Sequence, residues 1–213
     1  MRSSSVPFAA VVAAAFLAAA AEGARIDMDD PRRAVGRESD IRVDAQLLQE
    51  TLSPGARISV HCRIDNQSAR AVAVAAKVTA LSYDIDTQTI HLSIGAEIPS
   101  GGAMPQLIVI PPGESKTFAA GGTVSVPVSD VRSPFARTPR FVQIRVNVLR
   151  DAAPFAQLIG ASTAVAPPRL SDAHFEMWLA ANESIFLNAL PVRWVARGGS
   201  GVASAEDRMP SSW

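Results

Sequence analysis

The stretch RFVQIRVNVLR, Arg140 to Arg150, decides the fold. Val142, Ile144, Val146 and Val148 alternate with Gln143, Arg145 and Asn147. Successive side chains of a strand point to opposite faces, so this period of two buries one face and wets the other. The four apolar residues are all β-branched, which suits a pleated surface better than a helix. A half-buried strand of this kind belongs to an antiparallel sheet with one face on a core.

The same alternation recurs at Arg57 to Asp65, where Ile58, Val60, Cys62 and Ile64 point one way and Ser59, His61 and Arg63 the other. Further strands are predicted over Ile41 to Leu48, Ala71 to Tyr83, Ile90 to Ile98, Gln106 to Ile110 and Lys116 to Val128. The apolar phase of Ala71 to Tyr83 slips near Ala80-Leu81, which predicts a bulge or a change of sheet. Gly121-Gly122 is expected to break or bulge the strand that begins at Lys116. Gln157 to Val165 is expected to pair with Arg140 to Arg150 across the turn Asp151 to Pro154. Ser53-Pro54-Gly55, Asn66-Gln67-Ser68 and Pro111-Pro112-Gly113-Glu114 are the other turns, with proline pre-set for the bend and glycine free to take positive φ. Roughly seven to eight strands between residues 41 and 166 predict an all-β fold, an immunoglobulin-like antiparallel β-sandwich.

Beyond the sandwich the pattern changes. Ser171 stands at an N-cap position ahead of Asp172, and Phe175, Trp178 and Leu179 follow at helical spacing. A short helix is predicted over Asp172 to Ala181, then a turn at Asn182 to Ser184. Ile185 to Val195 is apolar but broken by Pro191. Residues 167–195 are expected to pack on the sandwich as a C-terminal helix and extended segment. Residues 196–213, rich in Gly and Ser, are expected to be a disordered tail.

At the other end, Phe8 to Ala21 is an uncharged apolar run behind Arg2, with small residues near Gly23. That is the pattern of a signal peptide over residues 1–23, and the run is shorter than a bilayer span needs. The expected location is periplasmic or secreted, with no membrane span after signal cleavage. Residues 24–40 are polar and read as a flexible leader.

The chain of 213 residues carries 20 Lys+Arg and 20 Asp+Glu. A formal charge of zero argues against nucleic-acid partners, because phosphate binding needs clustered cations. Only 2 of the basic residues are Lys, a bias that follows overall composition. Cys62 is the only cysteine, so no disulfide within the chain supports the fold.

Two turn-to-strand segments carry a resemblance. Leu107-Ile108-Val109-Ile110-Pro111-Pro112-Gly113-Glu114-Ser115 and Leu52-Ser53-Pro54-Gly55-Ala56-Arg57 resemble the turns before strands in exported bacterial immunoglobulin-like domains. The resemblance implies a fold and no particular activity. Periplasmic pilus chaperones begin with a similar domain, and Phe141 to Leu149 matches the long alternating strand that such a chaperone donates. The basic pair that would anchor a client's carboxylate is not identified in the sequence, and the length fits one sandwich where those chaperones have two.

The chemically capable residues mostly have structural readings. Cys62 lies on the apolar face of its strand and reads as an inert core thiol, with His61 on the opposite face. His61 and His91 both face outward. Were their strands neighbours, the two rings and Asp84 or Asp86 would make a two-histidine, one-carboxylate metal set. No metal-binding spacing supports this, and solvated surface histidines are expected. His174 reads as a capping residue. Asp27-Met28-Asp29-Asp30 and Asp84-Ile85-Asp86 lack the glycine turn and terminal glutamate of a calcium loop. Gly199-Ser200-Gly201 is no nucleophile elbow. Asn66-Gln67-Ser68 and Asn182-Glu183-Ser184 match glycosylation acceptors.

The expectation is therefore a surface and no enzyme: no catalytic residue, no cofactor and no metal. The expected function is a non-enzymatic protein-binding or structural module of the bacterial envelope. An assembly chaperone for surface fibres acting by strand addition is the first alternative, and a metal-dependent or hydrolytic enzyme the second. Ser129 to Pro139 is a long loop presenting Arg132, Phe135 and Arg137, the residue types that dominate interface hot spots. Trp178 and Trp194 are the other candidates for contact with an envelope or extracellular protein.

Overall fold

The computed structural model describes residues 26, 29–30, 32–99, 102–124, 137–161 and 167–195. The expected signal peptide and C-terminal tail lie outside these residues, as do Arg132 and Phe135. The described chain is mainly β, with two short helices near its C-terminal end.

One sheet has the order β1-β2-β4-β9, from Arg33–Glu38, Ile41–Leu47, Arg57–Asn66 and Ser115–Thr123. All of its pairings are antiparallel. A second sheet follows the path β6-β7-β10-β5-β8: Val78–Asp84, Thr89–Ile94, Phe141–Leu149, Val72–Val74 and Ile108–Ile110. β11 (Asn182–Phe186) and β12 (Leu190–Pro191) also pair with β10. The inner faces of both sheets share one core, with Ile58, Val60, Cys62 and Ile64 from β4 and Val142, Ile144, Val146 and Val148 from β10. The two strands that alternate most regularly are thus the two spines of the core. β13 (Arg193–Trp194) pairs parallel with β3 (Thr51–Leu52) beside it.

Several expectations are corrected. Part of the expected leader is β1: Ala34 is fully buried, and the strand pairs with β2 from Arg33↔Gln46 to Glu38↔Ile41. One of its charges, Arg33, pairs with the carboxylate of Asp44, itself 2% exposed and also held by Arg42 of β2. Of the predicted strand at Gln157 to Val165, residues 157–161 lie instead in helix α1, Ala156–Ala161, which follows a 3-10 turn, Ala153–Phe155, and residues 162–165 lie outside the described residues. The Asp151 carboxylate accepts the Ala153 N–H, and Pro154 sits in the first turn, both helix-starting features. The partner of β10 is β11, which takes up the expected turn at Asn182 to Ser184. β10 and β7 run parallel, from Phe141↔Thr89 to Val146↔Ile94. The long crossover between them, which includes β8 and β9, is what a parallel pairing requires.

Other expectations hold. The slip near Ala80 is a register shift between Val78 and Ala80 against β7. Helix α2 spans Asp172–Ala181, with the Ser171 side chain accepting the His174 N–H. α2 and the 3-10 turn cover one end of the outer face of the larger sheet. There Trp178 and Phe155 join Ala73, Ala96, Met104 and Leu149 in a second cluster. No described helix is long and apolar enough to cross a membrane.

Candidate partner-binding surface

The outer face of β10 carries Gln143, Arg145, Asn147 and Leu149, and its neighbours fill the same face in register. Ser82, His91 and Gln143 form one row; Ser93, Arg145 and Phe186 form the next. Toward the C-terminal end of β10 this face is closed. Leu149 is buried under the α2 cluster, and Asn147 is 2% exposed in a polar knot. The Asn147 amide donates to the carbonyls of Ile94 and Gly95, and its oxygen accepts from the Ser184 hydroxyl at 2.6 Å.

Toward the other end the face opens into a shallow depression of about 270 Å³, lined by Ser82, His91, Gln143, Arg145 and Phe186 among others. Phe186 is 61% exposed although it closes a paired strand. Its ring lies under the Arg145 guanidinium, whose central carbon is 5.9 Å from the ring centroid. Arg145 Nε donates to Ser93 Oγ at 3.2 Å, and Nη2 pairs with Glu97 at 2.9 Å. The guanidinium is therefore held over the ring from two sides, and a partner finds both groups already placed. Phe186 owes its exposure to strand alternation: Ile185 beside it enters the core, so Phe186 must face out. The alternating pattern of β10 already marks Arg145 and Gln143 as outward. Phe186 is not singled out from the other C-terminal aromatic residues, because the sequence signal for β11 is weak.

The residues first singled out fall elsewhere. Trp178 is 1% exposed and packs edge-on against Phe155 at 5.6 Å. Its indole N–H donates to the Glu97 carbonyl, so it is a core residue and no contact surface. Trp194 is partly buried against the main core through β13. Arg137 is exposed and pairs with Asp86 at 3.3 Å, while its carbonyl accepts from the Tyr83 hydroxyl. It anchors the start of the chain that enters β10.

His61 and His91 stand on different sheets, and each side chain points away from the core, so their rings face opposite sides of the molecule. The two-histidine metal set is thereby overturned, and no cluster of three metal-ligating groups occurs among the described residues. The Asp84 carboxylate is engaged by Thr87 Oγ1 and the Asp86 N–H of its own turn, which hold it below the usual carboxylate range. Asp30, expected in the leader, is bound by Arg32 and Gln46, and the Arg32 hydrogen bonds hold its carboxyl well below the ordinary value. Cys62 is fully buried, and burial pushes its thiol up to about 12. His174 lies in the first turn of α2, where Ser171 is the cap, and its Nδ1 is 2.8 Å from the Ser171 hydroxyl.

Asn66 is no glycosylation acceptor. It is 1% exposed, its amide donates to the carbonyls of Arg70, Ile110 and Pro111, and its oxygen accepts from Ser68. The chaperone reading loses its donor strand, since β10 is paired along both edges. A second concavity of about 970 Å³ runs between Ala75–Thr79 and Ala103–Ile108 and is largely apolar, with Lys77 at its wall. No family model, curated protein or solved structure matches this chain.

Proposed function

We propose that the chain is an exported immunoglobulin-like β-sandwich that acts without catalysis, by binding another protein of the bacterial envelope. The observation that carries this reading is the Phe186–Arg145 pair on the open end of the outer face. Aromatic and Arg side chains supply most of the energy at protein interfaces, and pre-placed ones bind at lower entropic cost. The partner that fits lays an apolar side chain on Phe186 and hydrogen-bonding groups over His91 and Gln143. Export is supported by the Phe8 to Ala21 run behind Arg2. The immunoglobulin-like assignment is supported by two sheets around one core, with β4 and β10 as facing spines. A non-catalytic role is supported by the fates of the reactive residues: Cys62 is sealed in the core, and the two strand histidines are on opposite faces.

The test is affinity capture from envelope extract with the wild-type protein and with a Phe186→Ala, Arg145→Ala double variant. A discrete protein retained by the wild type and lost by the double variant is the expected result. The variant must show an unchanged melting curve. Equal capture by both proteins, or capture of no protein by the wild type, overturns the reading.

A further inference from the structure

Strand β9 presents an outer edge that no described strand pairs with. Asn66 N–H donates to the Glu114 carbonyl and Val124 N–H to the Ala56 carbonyl, so the even-numbered residues at both ends of β9 bond to β4. Antiparallel pairs alternate, so Ser115, Thr117, Ala119, Gly121 and Thr123 turn their backbone N–H and C=O groups away from β4. No described residue pairs with β9 on that side. Sheet edges are ordinarily blunted by charge, proline, bulges or brevity. The other edge strands of the two described sheets follow that rule. β1 carries Arg33, Arg37 and Glu38, and Asn188 caps it by accepting the Val35 N–H and donating to the Val35 carbonyl. β8 has three residues, and β6 has a register shift at its start. β9 runs nine residues with Lys116 as its one charge and no proline.

We propose that the chain forms a two-fold symmetric dimer in which β9 pairs antiparallel with β9 of a second copy, Ala119 facing Ala119. The five outward-bonding residues are symmetric about Ala119, so the pairing sets Thr117 against Gly121 and Ser115 against Thr123. Every outward group then finds a partner, giving up to about ten hydrogen bonds between copies. The side chains of these five residues are small, uncharged and exposed, so nothing bulky separates the two edges. Lys116 comes opposite Gly122 and meets no like charge.

The charges on β4 do not oppose this arrangement. Asp65 lies beside Ser115, and Arg57 lies beside Thr123. In the antiparallel pairing each end row runs from Asp65 of one copy to Arg57 of the other, three strand spacings or ~14 Å apart. A parallel pairing sets Asp65 level with Asp65 and Arg57 level with Arg57. The zero formal charge of the chain adds no repulsion between copies.

Sedimentation velocity of the full chain, over a concentration series, tests the proposal. The wild type is expected at twice the monomer mass. Ala119→Lys, which places two ammonium groups on the dimer axis, is expected to weaken the dimer at least ~tenfold. In Ala119→Cys the paired Cα atoms stand ~5.5 Å apart, within disulfide range, so mild oxidation is expected to link two chains. Cys62 is buried and gives no competing link. Ser115→Cys, which faces Thr123, is the control expected to stay unlinked. A wild type that remains monomeric to its solubility limit overturns the proposal. So does a dimer that Ala119→Lys leaves intact, or an Ala119→Cys protein that links no faster than Ser115→Cys. β9 is on the other sheet from Phe186, so the envelope-partner reading stands or falls separately, on capture by the Ala119→Lys protein.

Discussion

Gly95 and Asn147 are locked together at the end of β7. Gly95 turns the chain at a φ of 84°, and the backbone of Asn147 occupies the space a side chain would need. The Asn147 amide reaches back to the Gly95 carbonyl at 3.3 Å. Gly95→Ala combines a left-handed conformation, costing about 1–2 kcal/mol, with overlap against backbone that cannot yield. The expected loss is ~3 kcal/mol or more in urea denaturation. Gly113 has a φ of 73° and nothing near its absent side chain. Gly113→Ala is therefore expected to cost only about 1–2 kcal/mol.

Asp44 joins two strands through two guanidiniums. Its side chain is 3% exposed, and it pairs with Arg33 of β1 and Arg42 of its own strand β2. Removing one member of a buried ion pair costs about 3–5 kcal/mol, because the other charge is left desolvated. Asp44→Ala is expected in the lower part of that range, since both Arg side chains keep some contact with water. Hydrogen exchange is expected to show β1 opening first in this variant.

Trp178 and Phe186 should answer to different assays. Trp178→Ala empties the second cluster and leaves the Glu97 carbonyl without its donor. A cost of about 3–5 kcal/mol is expected by thermal or urea melting. Phe186→Ala removes an exposed ring and is expected to change stability by less than ~1 kcal/mol. Its effect belongs in partner capture.

Cys62 should resist thiol reagents in the folded protein. Burial raises its pKa from 9.0 to about 12, so the nucleophilic thiolate is scarce and the sulfur is sealed. Labelling is expected to follow the rate of unfolding. The sign for stability follows from the same shift. Above about pH 9 the unfolded thiol ionises while the folded one stays protonated, so this group makes stability fall as pH rises.

The acid limb runs the other way. Asp30, Asp65 and Asp84 all have folded pKa values below the ordinary 3.8. For Asp65, burial alone would raise the value, and hydrogen bonds from Ser115 and Arg63 outweigh it. Carboxylates depressed in the folded state contribute stability above their unfolded pKa, and lose it as pH falls through the folded values. Urea midpoints are expected to be flat from neutral pH to about 5 and to drop below about 4. Asp65→Asn should flatten part of that drop.

The local patterns that involve only neighbouring residues are legible in the sequence itself. β4 and β10 declare their inward faces by alternation, and both became spines of the core. α2 declares its first residue through the Ser171 cap. These signals are local, because strand alternation and capping are geometric consequences of adjacent backbone. Partner choice is not local. Nothing in Asn182-Glu183-Ser184 announces a strand, since its polar side chains are satisfied only by distant groups: Ala96, Arg150 and Asn147. The same holds for β1, whose charge is answered by Asp44 of β2. Tertiary structure alone decided that β7 runs parallel to β10, that Trp178 is core while Phe186 is surface, and that His61 and His91 face apart. Each outcome depends on which strand lies beside which, and that is set by burying the most apolar area while keeping buried backbone groups paired.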